Sequence, residues 1–238
     1  MTRRRWIADE VSGNNASLSG THADHLTRVL RVRKGQEFDI VANGVVRSGR
    51  VSTIGDHRVE FELGDEIPAG LALADLTLFL AIFKFDRMEW AIEKATELGV
   101  ARIIPLIAQR TDAHLSSAAE KRVERWRRIA IQASEQSRRV ATPEIAAPTK
   151  LRDTVTPADS LNILLSEIEE GVSLREILSE RENSRELSLA IGPEGGWTQD
   201  ELDFFQKGGW ISVSLGPTIL RAETATIAAV AIAMSYLV

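Results

Sequence analysis

The spacing of hydrophobic positions changes near residue 70. Between Glu37 and Glu66 apolar and polar residues alternate in short runs, "EFDIVANG", "VVRSGRVSTIG" and "HRVEFELGDEI", punctuated by glycine. This pattern predicts short antiparallel strands closing into a small barrel or sandwich. Ahead of it, "SGTHADHLTRVLRVRKGQ" predicts a short helix ending near Arg31, with Lys34-Gly35 opening the next strand. "IPAGLALAD", Ile67 to Asp75, is the linker candidate, so the chain divides into domains at 1–70 and 75–238. In the second, "LTLFLAIF" predicts a buried strand and "DRMEWAIEKATELG" a helix with Met88, Ile92 and Ala95 on one face and Gly99 as its stop. Strands "ARIIPLI", "LNILLSE", "LSLAIG" and "ISVSLG" then alternate with helices "RVERWRRIAIQASEQS", "SLREILSE", "TQDELDFFQK" and a last one from about Ala222 to Leu237. Such alternation makes an α/β domain with a mostly parallel sheet covered on both faces.

In a sheet of this kind ligands bind beyond the carboxyl ends of the strands. Two glycine-bearing loops fall there. Gly192-Pro193-Glu194-Gly195-Gly196 follows Ile191, and Gly216-Pro217 follows Leu215. Thr198 and Glu201 form a capping box, so part of the first loop serves to turn a strand into a helix. The box does not need three glycines, and the surplus points to a flat ligand pressed against the backbone. After the second loop, Arg221-Ala222-Glu223-Thr224 opens an alanine-rich helix. Glu223 suits the positive end of the helix dipole, whereas Arg221 is placed to meet an anion or a developing negative charge. No dinucleotide fingerprint and no P-loop are present.

The absence of cysteine removes disulfides, thiolate metal sites and cysteine nucleophiles. The start is basic but meets Asp9 and Glu10 before any apolar core, unlike a signal peptide, and the apolar run Ile227 to Val238 is too short to span a bilayer. A cytoplasmic protein without a membrane partner is the expectation. Net charge is -5, yet residues 1–50 hold nine Lys/Arg against five Asp/Glu, and residues 121–139 hold seven against two. Defined basic faces on an acidic chain fit a polyanionic partner, although each cluster alone could be a solvated helix face.

Together, "LAIGPEGGW" and "SLGPTILRAETA", with "MEWAIEKATELGVARIIPLIAQRT", "QASEQSRRVATPEI" and "HLTRVLRVRKGQEF" upstream, resemble the RsmE family of 16S ribosomal RNA uridine-N3 methyltransferases in the SPOUT superfamily. The resemblance covers essentially the whole chain. It implies an S-adenosyl-L-methionine-binding α/β domain with a C-terminal trefoil knot, a small N-terminal PUA-like β-barrel that grips RNA, and a homodimer with its cofactor pockets near the subunit interface. Carried over residue by residue, it makes Ile191, Gly192, Pro193, Gly195 and Gly196 one wall of the cofactor pocket. Leu215, Gly216, Ile219, Leu220 and Arg221 form the other, and Leu165 and Ser166 contribute beside them. For methyl transfer to uridine N3, Arg221 is expected to stabilise the developing uracil anion and Glu223 is a candidate base, a structural role at the helix start being the alternative. The chain departs from the family at Arg138, where relatives usually carry glycine.

For RNA, Arg3, Arg4, Arg5, His25, Arg28, Arg31, Arg33 and Lys34 form one cluster, and Arg125, Arg128, Arg138 and Arg139 a second. Such contacts set affinity rather than sequence choice. Trp6 reads as core more readily than as a base-stacking platform. His22 and His25 are spaced for a metal but lack a third ligand nearby, so contact with solvent or RNA is preferred and no metal is expected. The resulting function is methyl transfer to N3 of one uridine of 16S rRNA in the small ribosomal subunit. A SPOUT enzyme acting on another RNA such as tRNA, or a noncatalytic ribosome-assembly factor, is the alternative.

Overall fold

The computed structural model describes residues 5–68, 75–156, 160–180 and 186–237. It divides into two compact units, one formed by Met1–Ala72 with Ser134–Ala141 and the other by Leu73–Ala133 with Thr142–Val238.

The first unit contains β1 (Arg5–Ile7), β2 (Glu10–Ser12), β3 (Asn15–Ser19), α1 (Gly20–Asp24), a π-helical turn over His25–Val29, β4 (Glu37–Ala42), β5 (Val45–Gly55) and β6 (Arg58–Glu66). The strand order is β1-β4-β5-β6-β3-β2. Only Ala8 and Asp9 separate β1 from β2, which occupy opposite edges of that order. Two residues reach about 7 Å, so the edges must meet and the sheet curls into a barrel. Pairing is antiparallel throughout except where β1 runs parallel to β4. Phe38, Ile40, Val51, Val59 and Phe61 fill the interior with Trp6, Leu18 and Leu26. Trp6 is therefore a core residue, its ring tilted against His22 and His25 at centroid distances of 6.1 and 5.8 Å.

The second unit runs β7 (Asp75–Ala81), α2 (Phe85–Leu98), β8 (Arg102–Ile107), α3 (Ala113–Ala118), α4 (Val123–Gln136, whose last residues group with the first unit), β9 (Glu144–Ile145), β10 (Thr149–Lys150), β11 (Leu161–Leu165), α5 (Leu174–Glu180), β12 (Glu186–Ile191), α6 (Gln199–Lys207), β13 (Ile211–Val213) and α7 (Ala222–Leu237). The main order is β10-β8-β7-β12-β11-β13 with β9 also on β8, and every pairing is parallel. Buried strands in such a sheet are apolar on both faces. Thus Leu76, Leu78 and Leu80 of β7 enter one core with residues of α2, α4, α5 and α7, while Phe79 and Ala81 enter another with Trp197, Phe205 and Leu202. Pro105, inside β8, sits between the stretches paired by β9 and β10, where its missing N–H interrupts no ladder.

Helix ends follow the local chemistry. Gly99 closes α2 at φ 110°, and Thr198 opens α6 with both halves of the capping box in place. Glu201 is buried within that box and also accepts a 2.7 Å hydrogen bond from Gln109 N, so it ties the loop after β8 to α6. No helix among the described residues is long and apolar enough to cross a membrane.

Arg138 adopts φ 60°, the left-handed conformation that glycine tolerates and other residues enter at a cost. That cost is about 1–2 kcal/mol, against the roughly 0.5–1 kcal/mol of backbone entropy that glycine forfeits on folding. Arg138→Gly should therefore raise stability by about 0.5–1 kcal/mol. Urea unfolding with an unchanged m-value checks this, and a loss of stability would mean that the arginine side chain outweighs the strained backbone.

Candidate active site

Strands β12, β11 and β13 are neighbours and parallel, so their carboxyl ends emerge at one edge of the sheet. A cavity of about 410 Å³ opens there. Leu165 and Ser166 border it from the end of β11, and Ile191, Gly192, Pro193, Glu194, Gly196 and Trp197 from the end of β12. Ser214 to Arg221 closes the other side beyond β13, and Arg87 of α2 stands at its edge. Of the residues expected to form the pocket, only Gly195 is absent from its lining.

Gly192 and Gly196 have a within-chain explanation that the sequence did not reveal. A Cβ on Gly192 would lie 3.1 Å from the Trp197 indole, and one on Gly195 would lie 3.4 Å from Arg110 Cβ and Cδ. The Trp197 indole in turn donates a 3.0 Å hydrogen bond to Leu165 O, and Arg110 Nη1 donates to Gly195 O at 2.6 Å. Gly196 ends a turn closed by its N–H on Pro193 O and has φ 69°, with the Glu167 carboxylate occupying the space a side chain would need. Protein neighbours thus account for Gly192 and backbone conformation for Gly196, whereas Arg110 stands at ordinary van der Waals distance from Gly195 and does not explain that glycine.

The second wall is built differently. Gly216 lies at φ 124° with open space around it. Among the described residues no backbone–backbone hydrogen bond engages residues 215–220, all of which line the cavity. Unpaired backbone groups beside a cavity are donors and acceptors held ready for a ligand or for water. Ile219 is 83% exposed at this rim.

The charged groups separate into free and engaged. Arg221 borders the cavity, and its side chain makes no hydrogen bond or ion pair among the described residues. Arg87 is held between two carboxylates, its Nη1 3.4 Å from Glu194 Oε1 and its Nε 3.7 Å from Glu223 Oε1. Glu223 itself is buried in the first turn of α7 and does not border the cavity.

The expected RNA contacts also divide. His25, Arg28, Arg31, Arg33 and Lys34 are exposed along and just after the π-helical turn of the barrel unit. Arg5 is tied in, donating to Arg138 O and lying 3.9 Å from Asp39. Arg3 and Arg4 lie outside the described residues. In the other unit Arg128 is exposed, while Arg125 makes a two-pronged pair with Glu89 at 2.6 and 2.8 Å. Arg138 is exposed, but Arg139 is 6% exposed and burial pushes its guanidinium down to about 10, so it is an interior residue rather than a surface contact. His22 lies between carboxylates, 3.6 Å from Asp9 Oδ1 and 3.6 Å from Glu135 Oε1. Burial pushes the Glu135 carboxyl up, with His22 opposing the shift and Asp9 adding to it.

Residues 71–234 match the model of an RNA methyltransferase domain, and residues 18–64 match that of an RNA methyltransferase PUA domain. Ribosomal RNA small subunit methyltransferase E of Aquifex aeolicus is 32% identical over 97% of this chain and 99% of its own length. The protein of the same name from Rickettsia conorii is 33% identical over 90% and 86%. The crystal structure of ribosomal RNA small subunit methyltransferase E from Neisseria gonorrhoeae bound to S-adenosyl methionine superposes with a TM-score of 0.85 at 32% identity, covering 96% of this chain and 95% of that one. With its cavity at the strand ends and a barrel ahead of it, the chain belongs to the ribosomal RNA small subunit methyltransferase E family.

Proposed function

We propose that this chain transfers a methyl group from S-adenosylmethionine to N3 of one uridine in 16S rRNA of the small ribosomal subunit. In this reading it works in the cytoplasm as a homodimer with a C-terminal knot, and the barrel unit holds the RNA. The observation that carries the reading is the cavity walled by residues 191–197 and 214–221, with an unengaged arginine on its rim. The volume lies within the range of about 300–1,000 Å³ usual for cofactor pockets. Its lining fits the donor: Leu165, Ile191, Leu202 and Val213 offer apolar contact, the free backbone at 215–220 offers hydrogen bonds, and Glu167 and Glu194 offer negative charge toward a cation. When bound, S-adenosylmethionine supplies an electrophilic methyl on a sulfonium centre, leaving orientation and electrostatics to the protein.

Uridine N3 is a poor nucleophile until its proton departs, and the charge left behind spreads onto the flanking carbonyl oxygens. Arg221, free of internal partners, is placed to stabilise that charge. The exposed His25, Arg28, Arg31, Arg33 and Lys34 supply the phosphate contacts. A homodimer would cover the apolar side chains left exposed on α2 and α7, Trp90 and Tyr236.

The test is transfer of labelled methyl to small ribosomal subunits from cells lacking this protein, beside naked 16S rRNA and tRNA. Label at N3 of a single uridine of 16S rRNA is the expected result. Label in tRNA alone would replace the substrate, and cofactor binding without transfer to any RNA would leave an assembly factor.

Arg221→Ala should lower transfer by about 10²–10³-fold while cofactor affinity stays within about threefold, which is about 0.65 kcal/mol. Equal turnover in the variant would remove Arg221 from the reaction. Gly192→Ala should act on binding instead, because its methyl meets the indole that holds Leu165 O. Calorimetry should find cofactor affinity weakened about tenfold, or 1.4 kcal/mol.

A further inference from the structure

Arg87 is the one cavity-lining cation among the described residues that is held by carboxylates from both walls: Glu194 from the glycine loop after β12 and Glu223 from the start of α7. Its Nη1 donates a 3.4 Å hydrogen bond to Glu194 and its Nε faces Glu223 as an ion pair at 3.7 Å, while Nη2 has no hydrogen-bond partner among the described residues. Glu223, by contrast, is withdrawn. It is 5% exposed, its Oε1 faces Arg87, and its Oε2 is buried without a partner. A buried carboxylate with an unsatisfied oxygen is expensive to keep, and the helix dipole of α7 together with Arg87 offsets that expense. A proton acceptor must come within hydrogen-bond reach of the proton it takes. Glu223 lies outside the lining of the cavity in which that proton would sit, whereas Arg87 lies in it.

We propose that Glu223 is a positioning residue rather than the base: it holds Arg87, and Arg87 presents a second fixed cation to the reacting groups beside the unengaged Arg221. The proposal rests on the methyl-transfer reading above. It makes α2, the glycine loop and α7 meet at one guanidinium, so the Arg87 side chain couples the two cavity walls. Methyl transfer then depends on an oxygen at position 223 that faces Arg87, not on a group that can be protonated there.

The discriminating substitution is Glu223→Gln, whose amide oxygen keeps its place beside Arg87 Nε but whose side chain cannot take a proton. With the full chain, saturating S-adenosylmethionine and small ribosomal subunits, Glu223→Gln should retain transfer within about fivefold of the parent. The acid limb of its rate–pH profile should stay in place, since removing a general base costs about 10²–10⁴-fold. Arg87→Met should lower transfer at least tenfold, with Arg87→Lys recovering part of the loss. Adding Glu223→Ala to Arg87→Met should cost no more than about a further twofold, because partners in one interaction are not additive. Calorimetric binding of S-adenosylmethionine checks that each variant is folded. A Glu223→Gln variant that binds the cofactor normally, transfers more than about 10²-fold more slowly and loses the acid limb would identify Glu223 as the base and overturn the proposal. Losses at 87 and 223 that multiply would overturn it as well. A parent chain inert toward every RNA would instead sink the methyl-transfer reading and the proposal with it, so the two failures are distinguishable.

Discussion

The parallel pairing of β12, β11 and β13 is the constraint on which the site depends. Antiparallel neighbours would send successive loops to opposite edges, whereas these three strands deliver Leu165, Ile191 and Val213 to the same one. Parallel strands need crossovers, and the crossovers available here are α5 and α6 with their flanking loops. Both faces of the strands must then be covered, which is why Ile163 and Leu165 enter one core while Leu164 enters the other. The cavity is what remains where the covering stops and the loops begin.

The second unit was largely legible because its periodicities are strong. Continuous apolar runs gave the central strands, and the 3.6-residue spacing of Met88, Ile92 and Ala95 gave α2 with its glycine stop, all of them buried as that spacing requires. The barrel was legible only in part. Alternation over 37–66 marks β4 to β6, but β1 and β2 are three residues long and β3 five, too short for a pattern to rise above the surrounding polar residues. The grouping of Ser134–Ala141 with the barrel was hidden for another reason. It depends on contacts such as Arg5 with Arg138 O and His22 with Glu135, separated by more than a hundred residues, and no local pattern records them.

The glycine loop shows how a correct location can follow from an incomplete cause. Three glycines in five residues imply a crowded backbone, and the crowding is real. Its sources are Trp197 at Gly192 and the turn at Gly196. Only a tertiary structure could supply Arg110, which arrives from the loop after β8 and donates to Gly195 O. The same loop is fixed from the other side by Gln109 N on Glu201. The wall is therefore preorganised by protein contacts before any ligand arrives. The backbone left unpaired at 215–220 has no such internal claim on it, and there a ligand has donors and acceptors to meet.

Charge counting along the sequence overstates what residues 121–139 display. They are rich in arginine, yet Arg125 and Arg122 converge on Glu89, Arg127 bonds Glu124 and Ile145 O, and Arg139 is buried, leaving Arg128 and Arg138 exposed. In the barrel unit the balance differs: Arg31, Arg33 and Lys34 are exposed, follow one another closely, and have no ion-pair partner among the described residues. Arg28 nearby has only Asp24 at 3.7 Å. A polyanion gains most from cations that need not first be released from internal carboxylates, because a surface pair broken on binding returns only its own small energy. By that measure the barrel's turn from His25 to Lys34 presents closely spaced unengaged cations, whereas much of the longer arginine run is engaged internally.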